Sequence, residues 1–232
     1  MLNLDYCNTT TIESAYIITM KGHEKSEFYA NRCAKSCESV GMPYKIWYGY
    51  DGSGDSIKEP DHLVDSDFMS MIKVTNRNMQ RGEICACLGH ISLWNHCIKI
   101  NQPIVIMEHD AVMLKRIEEI ESYNAIVYLG GAEWVKRGWK IYPIPPHASM
   151  GPNYSFICRA HAYAIDPIVA KNMIAYVLQE GIHAPLDCML KATIFNITHQ
   201  GLYAFDDENE STILRRNDGL VGGEHWGTNE RR

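Results

Sequence analysis

Apolar and polar positions follow two different periods along this chain, and the switches between them mark out its elements. Residues 15–20 are a short apolar run that reads as a strand. From Glu24 to residue 40 the apolar positions return at helical spacing, with Phe28, Cys33, Cys37 and Val40 along one face and Gly41 and Pro43 as stop signals. Residues 44–50 resume an extended pattern and lead into Asp51-Gly52-Ser53-Gly54. This opening is a β-α-β unit, which implies parallel strands joined by a right-handed crossover. Residues 55–80 are polar and weakly periodic, a loop with room for one short helix. Residues 82–100 predict a second helix whose apolar face holds Ile84, Cys87, Leu88, Ile91, Trp94 and Ile98. Pro103 then opens a strand that runs to Glu108 and Asp110.

The second half repeats the alternation. Residues 123–129 form an apolar run closed by Gly130-Gly131, and residues 156–165 read as extended. Asp166-Pro167 is a helix start, a capping side chain followed by proline at the first helical position, and Gly181 closes that helix. A shorter helix begins at Pro185, and a last strand covers residues 196–205. Acidic residues and glycines dominate from Asp206 onward, so residues 1–205 are the expected domain and 206–232 a tail able to act as a closing segment. Strands and helices in alternation predict an α/β fold with a mostly parallel central sheet flanked by helices, and ligands at the C-terminal ends of its strands.

Composition narrows the function classes. At 232 residues and 46% hydrophobic content the chain can bury a full core. It has neither an apolar run of membrane-spanning length nor the pattern of a signal peptide, so a cytoplasmic protein is expected. Its eight cysteines then read as reduced thiols, and neither Cys33 with Cys37 nor Cys85 with Cys87 makes the paired arrangement of a zinc site. A formal charge of −6 argues against coating nucleic acid by electrostatics alone. The phosphate-cradling patterns GxxxxGK(S/T) and, after the first strand, GxGxxG are missing, which sets aside ordinary kinases, NTPases and dehydrogenases.

What remains is the string Ile-Val-Ile-Met-Glu-His-Asp at 104–110, an apolar run ending in two carboxylates one residue apart. On an extended chain Glu108 and Asp110 turn to one side and His109 to the other. Two hard oxygen donors then converge on a point suited to a divalent cation, manganese or magnesium, holding a diphosphate. A strand followed by a polar turn is the plainer account of the same string.

Ordered blocks surround this pair. The first β-α-β unit closes on Asp51-Gly52; Gly82-Glu-Ile-Cys-Ala-Cys-Leu-Gly-His-Ile-Ser-Leu-Trp94 follows, then Ile106-Met-Glu-His-Asp-Ala-Val112, then His161-Ala-Tyr-Ala-Ile165 and Ala184-Pro-Leu-Asp187. In this order they resemble glycosyltransferase family 25, which includes bacterial lipooligosaccharide glycosyltransferases and collagen galactosyltransferases. The resemblance covers about residues 15–190. It implies a GT-A-like nucleotide-sugar-binding fold and transfer of a sugar from a donor, usually UDP-linked, to a hydroxyl acceptor such as a lipopolysaccharide core. It also implies a divalent cation held by Glu108 and Asp110. Lys21 and Lys25 stand where the family often has an arginine-containing loop, so diphosphate contact there falls to them. Gly89 replaces the serine before His90, and His109 replaces the middle acid of the acidic motif. Asp187, in the matching helix start, is the candidate base, although capping accounts for it equally well.

Other candidates carry a structural and a functional reading side by side. Asp51 and Gly52 suit a ribose contact or simply a tight turn, Glu83 a donor contact or helix N-terminal electrostatics, and His90 a site role or a satisfied core histidine. His225, flanked by glycines, is a candidate third metal ligand from the tail. Trp134, Lys136, Arg137, Trp139, Lys140 and Tyr142 interleave aromatics with cations, a pattern that suits stacking on an acceptor saccharide or on a nucleic acid strand, or an ordinary surface loop. The acceptor is thus a glycan or, alternatively, a hydroxymethylated base in DNA. A non-catalytic nucleotide-sugar or glycan-binding module is the remaining alternative.

Overall fold

The computed structural model of the chain describes residues 9–64, 66–76, 78–130 and 160–206. Its elements are β1 (Ala15–Thr19), α1 (Glu24–Ser39), β2 (Tyr44–Tyr48), α2 (Asp67–Ser70), α3 (Arg81–Ile100), β3 (Ile104–Glu108), β4 (Ala111–Met113), β5 (Ile126–Gly130), β6 (Ala162–Ile165), α4 (Pro167–Glu180), α5 (Leu186–Met189) and β7 (Ile197–Asp206). The helix ends follow from local chemistry. Asp166 Oδ1 accepts from the Ile168 and Val169 amides at 2.8 and 3.1 Å, while its Oδ2 accepts from Ala125 N at 3.2 Å, so one buried carboxylate caps α4 and ties it to the start of β5. Gly181, at φ 73°, ends α4 in the left-handed region that glycine enters without a Cβ penalty.

The buried face of α1 differs from the expected one. Ser26, Ala30, Cys33, Ala34 and Cys37 pack inward, and Phe28 is 65% exposed. Residue 28 lies five positions before Cys33, which at 3.6 residues per turn puts it well away from the stripe through 26, 30, 33 and 37.

The strands form one seven-stranded sheet in the order β2-β1-β3-β6-β5-β7-β4. β1 pairs in parallel with β2 and β3, and β5 with β7; β3/β6, β5/β6 and β4/β7 are antiparallel. The sheet is therefore mixed, where alternating strands and helices had predicted a mostly parallel one. The physical reason is that polarity is set by which strands pair: β6 inserts antiparallel between β3 and β5, and β4 joins the far edge antiparallel to β7, pairings that element alternation along the chain does not specify. Apolar side chains fill both faces. Val105 and Met107 of β3 pack with α1, and Ile104 and Ile106 pack with α3 and α4, giving three layers.

The short connection from β3 to β4, only His109 and Asp110, dictates the curvature of the sheet. Four strand spacings separate β3 from β4 in the sheet order, about 19 Å in a flat sheet. The three peptide steps from Glu108 to Ala111 span at most about 11 Å. The sheet must coil to bring its last strand back beside β3. α1 holds the two ends together: Met113 N donates to Ser36 Oγ at 2.8 Å, and Arg32 Nη2 donates to the Asp110 carbonyl at 3.1 Å.

Among the described residues the cysteines are free thiols, and no helix is long and apolar enough to cross a membrane.

Candidate functional site

The chain leaves β1 in two directions within the sheet: β2 lies on one side of it and β3 on the other. Open α/β sheets bind ligands at such a reversal, in the crevice beyond the carboxyl ends of the strands, here the region beyond β1 and β3. Thr19-Met20 and Glu108-His109-Asp110 border it. Ser26 of α1, fully buried, links the two edges: its hydroxyl lies 3.0 Å from Thr19 Oγ1, accepts from Met20 N at 3.0 Å, and lies 3.5 Å from His109 Nδ1.

Strand geometry ends at Glu108, and His109 and Asp110 form a turn. The expected alternation, with both acids on one side, therefore does not extend past Glu108. Glu108 faces the α3 layer, where its Oε1 lies 3.3 Å from His90 Nε2. The Asp110 backbone meets α1 through Arg32, and its carboxylate, 7% exposed, lies near Cys33, whose thiol pKa is pushed up first by its hydrogen bond with Cys37, then by burial, and only then by nearby charge including that of Asp110. His109 stacks on Tyr29 at 6.4 Å, and its Nε2 has no hydrogen-bond partner among the described residues. Burial, then the nearby charges of His23, Lys25 and Arg32, lower its pKa to about 4. A neutral imidazole in a cationic surround thus occupies the middle of the acidic turn.

On the α3 side three polar side chains are almost wholly enclosed. Trp94 Nε1 donates to the Tyr163 hydroxyl at 2.9 Å, and that hydroxyl lies 2.7 Å from His90 Nδ1. Exposures of 1%, 0% and 1% close Trp94, Tyr163 and His90 off from bulk solvent. Burial alone lowers the His90 pKa to about 3, so its contact with Glu108 is a hydrogen bond from a neutral ring and not an ion pair. Trp94 thereby proves a core residue, as its place on the apolar face of the helix predicts.

Asp187 belongs to the same side. The Cys87 thiol, fully buried on α3, is pushed well above its ordinary pKa by burial first and then by the negative charges of Asp187, Glu83 and Glu108. Three candidate carboxylates therefore gather within electrostatic reach of one point on α3. Asp187 Oδ1 also accepts from the Cys188 amide at 2.8 Å, while the residue at the α5 cap is Pro185.

The remaining candidates have local partners that explain them without a ligand. Lys21 Nζ pairs with Asp61 at 2.6 Å, both side chains well exposed, and Lys25 Nζ lies 5.8 Å from the centre of the Tyr29 ring. Asp51 Oδ1 accepts from Ser53 N at 2.8 Å in an Asx turn. Gly52 is packed so closely on α3 that a Cβ there would come within 2.9 Å of Cys85 Sγ. Glu83 Oε2 accepts from the Gln80 amide at 2.8 Å and so caps α3. Trp134, Lys136, Arg137, Trp139, Lys140, Tyr142 and His225 lie outside the described residues.

Sequence reasoning passed over Ser26, Tyr29, Arg32 and Tyr163 as parts of this neighbourhood. Ser26 had a legible signal, a polar residue in the first turn of α1 just after β1. Tyr163 had none, because an apolar-looking strand hides a hydroxyl whose partners come from a helix about 70 residues earlier.

No group of three or more His, Cys, Asp or Glu side chains is placed to hold a metal ion among the described residues. Magnesium and manganese are commonly bound through one or two protein acids plus substrate phosphates and water, and Glu108, toward the α3 layer, and Asp110, toward α1, are acids of that type at the end of β3. No curated protein matches the chain. Residues 12–190, by contrast, match the family model described as glycosyltransferase family 25 (LPS biosynthesis protein). With most of its length inside that match, the chain belongs to glycosyltransferase family 25.

Proposed function

We propose that this protein transfers a sugar from a nucleotide-sugar donor, UDP-linked, to a hydroxyl of a saccharide acceptor of the lipopolysaccharide-core class, on a GT-A-like fold. The observation that carries the reading is the acidic turn Glu108-His109-Asp110 at the carboxyl end of β3, beside the β1/β3 crevice, in a chain of this family. Departure of a nucleoside diphosphate requires negative charge to be stabilised as it develops. Glu108 and Asp110 are the residues to hold a divalent cation there, which when bound neutralises diphosphate charge. Lys21, just past β1, and Lys25, in the first turn of α1, are the proposed phosphate contacts, and Lys21 would exchange its exposed partner Asp61 for the donor. Both members of that pair are solvent-exposed and screened, so the exchange costs little. Asp187 is the proposed base that takes the acceptor proton as the glycosidic bond forms, with Glu108 on the same side of the sheet.

The test is incubation of the protein with a panel of UDP-sugars and manganese, with release of UDP as the readout. Slow donor hydrolysis without acceptor, and faster release with truncated lipooligosaccharide, is the expected result. Donor binding by calorimetry with no release under any condition would instead identify a non-catalytic nucleotide-sugar-binding module.

A further inference from the structure

We propose that Trp94, Tyr163 and His90 form a proton-ordered hydrogen-bond relay that holds the Glu108 carboxylate in one orientation at the sheet edge, with the His90 proton on Nε2. Its consequence for turnover rests on the proposed glycosyl transfer; the proton position does not. The contacts run in series, Trp94 Nε1 to Tyr163 Oη at 2.9 Å, Tyr163 Oη to His90 Nδ1 at 2.7 Å, and His90 Nε2 to Glu108 Oε1 at 3.3 Å. Proton accounting gives the relay a direction. An indole nitrogen only donates, so the Tyr163 oxygen is an acceptor toward Trp94 and its single proton is left for His90 Nδ1. A neutral ring whose Nδ1 accepts carries its proton on Nε2, and that proton meets the carboxylate. With the proton on Nδ1 instead, Tyr163 would receive two donors, and the lone pair on Nε2 would face the negative charge of Glu108.

The placement supports positioning over mere packing. Trp94 and His90 are four residues apart on one face of α3, and Tyr163 projects from β6 at the register position opposite Ile106 of β3. Two rigid elements thus hold the donor that meets Glu108. Burying three polar side chains in a row is unfavourable unless each is satisfied, whereas a satisfied network gives a unique geometry that apolar side chains cannot impose on a carboxylate. Outer groups of this type, which orient a ligand-binding side chain through a histidine or its partners, commonly matter for affinity and rate although they touch no substrate. Trp94, Tyr163 and His90 are in this sense positioning residues.

The experiment uses the full chain labelled with 15N-histidine. Long-range 1H–15N spectra at neutral pH report which ring nitrogen carries the proton, and His90→Gln assigns the signal by its disappearance. The expected result is a neutral His90 protonated on Nε2 in the wild type and, in Tyr163→Phe, a shift toward a mixture of tautomers. With UDP-glucose or UDP-galactose and manganese, Tyr163→Phe should lower kcat by about 10–100-fold and leave KM for the sugar nucleotide within about threefold. His90→Gln, whose amide can still donate to Glu108, should retain more turnover than His90→Leu at similar loss of stability. A wild-type His90 proton on Nδ1 overturns the relay, as does a Tyr163→Phe protein with unchanged tautomer and rate. A wild-type protein that releases no UDP counts against the glycosyltransferase reading alone, because the spectra still decide the relay.

Discussion

Replacing Arg32 by methionine tests whether α1 clamps the acidic turn. The guanidinium donates to the Asp110 carbonyl at 3.1 Å and lies 5.0 Å from the centre of the Tyr29 ring, which in turn stacks on His109. A hydrogen bond from a charged donor contributes about 1.5–3 kcal/mol, reduced here to about 1–1.5 because Arg32 is only half-buried. The cation over the ring adds about 0.5–1 kcal/mol. Methionine preserves much of the aliphatic packing, so Arg32→Met should cost about 2 kcal/mol, or roughly 4–8 °C in Tm for a chain of this size. Arg32→Lys keeps a cation near Tyr29 but loses the planar fork, and should fall about midway. Equilibrium urea unfolding measures the stability, and release of UDP from a UDP-sugar measures the site. The variant should lose turnover by more than its small unfolded fraction explains, because the turn is displaced while the protein is still folded. The clamp is refuted if Arg32→Met unfolds at the wild-type midpoint, or if lysine is as damaging as methionine.

Asp110→Asn should abolish transfer and leave the thermal transition nearly in place, whereas wild-type turnover would remove Asp110 from the site; His109→Asp, which puts an acid among His23, Lys25 and Arg32, should keep turnover and strengthen manganese binding, as calorimetry can measure. Asp166→Ala, which strips the α4 cap and leaves the buried Ala125 amide without its acceptor, should cost about 2–4 kcal/mol in urea unfolding, and a loss under 1 kcal/mol would contradict that accounting. For pH, His90 has a folded-state pKa lowered to about 3 against an ordinary value of 6.5, so its neutral form favours the native state above about pH 6.5 and that stability is lost as pH falls toward 3; at pH 4 the loss is about 3 kcal/mol, and His90→Gln should flatten the stability curve between pH 6.5 and 4.

The early strands, α1, α3 and the Asp166-Pro167 helix start were legible because each is specified by neighbours in sequence: periodic apolar positions, a cap, a stop. The acidic turn was legible for the same reason, an apolar run meeting two carboxylates. Sheet direction was not, because strand polarity depends on which strands pair across long separations, and a three-residue strand such as β4 has no period to read. Sidedness at the turn failed for a related reason. Alternation holds only while the backbone is extended, and His109 already leaves the strand. Phe28 shows the limit of a loosely read helical face: such a reading groups it with Cys33, Cys37 and Val40, but its angular position on α1 leaves it at the surface. The contact between His90 and Tyr163 joins residues 73 apart, and only the folded sheet brings them together.

The two-residue link between β3 and β4 has a further consequence for how the protein comes to be active. The link cannot reach until the intervening strands have coiled, so the acidic turn takes its shape only when the sheet is complete. Assembly of the candidate site and completion of the fold are then a single cooperative event, and a partly folded chain lacks the Glu108-His109-Asp110 turn.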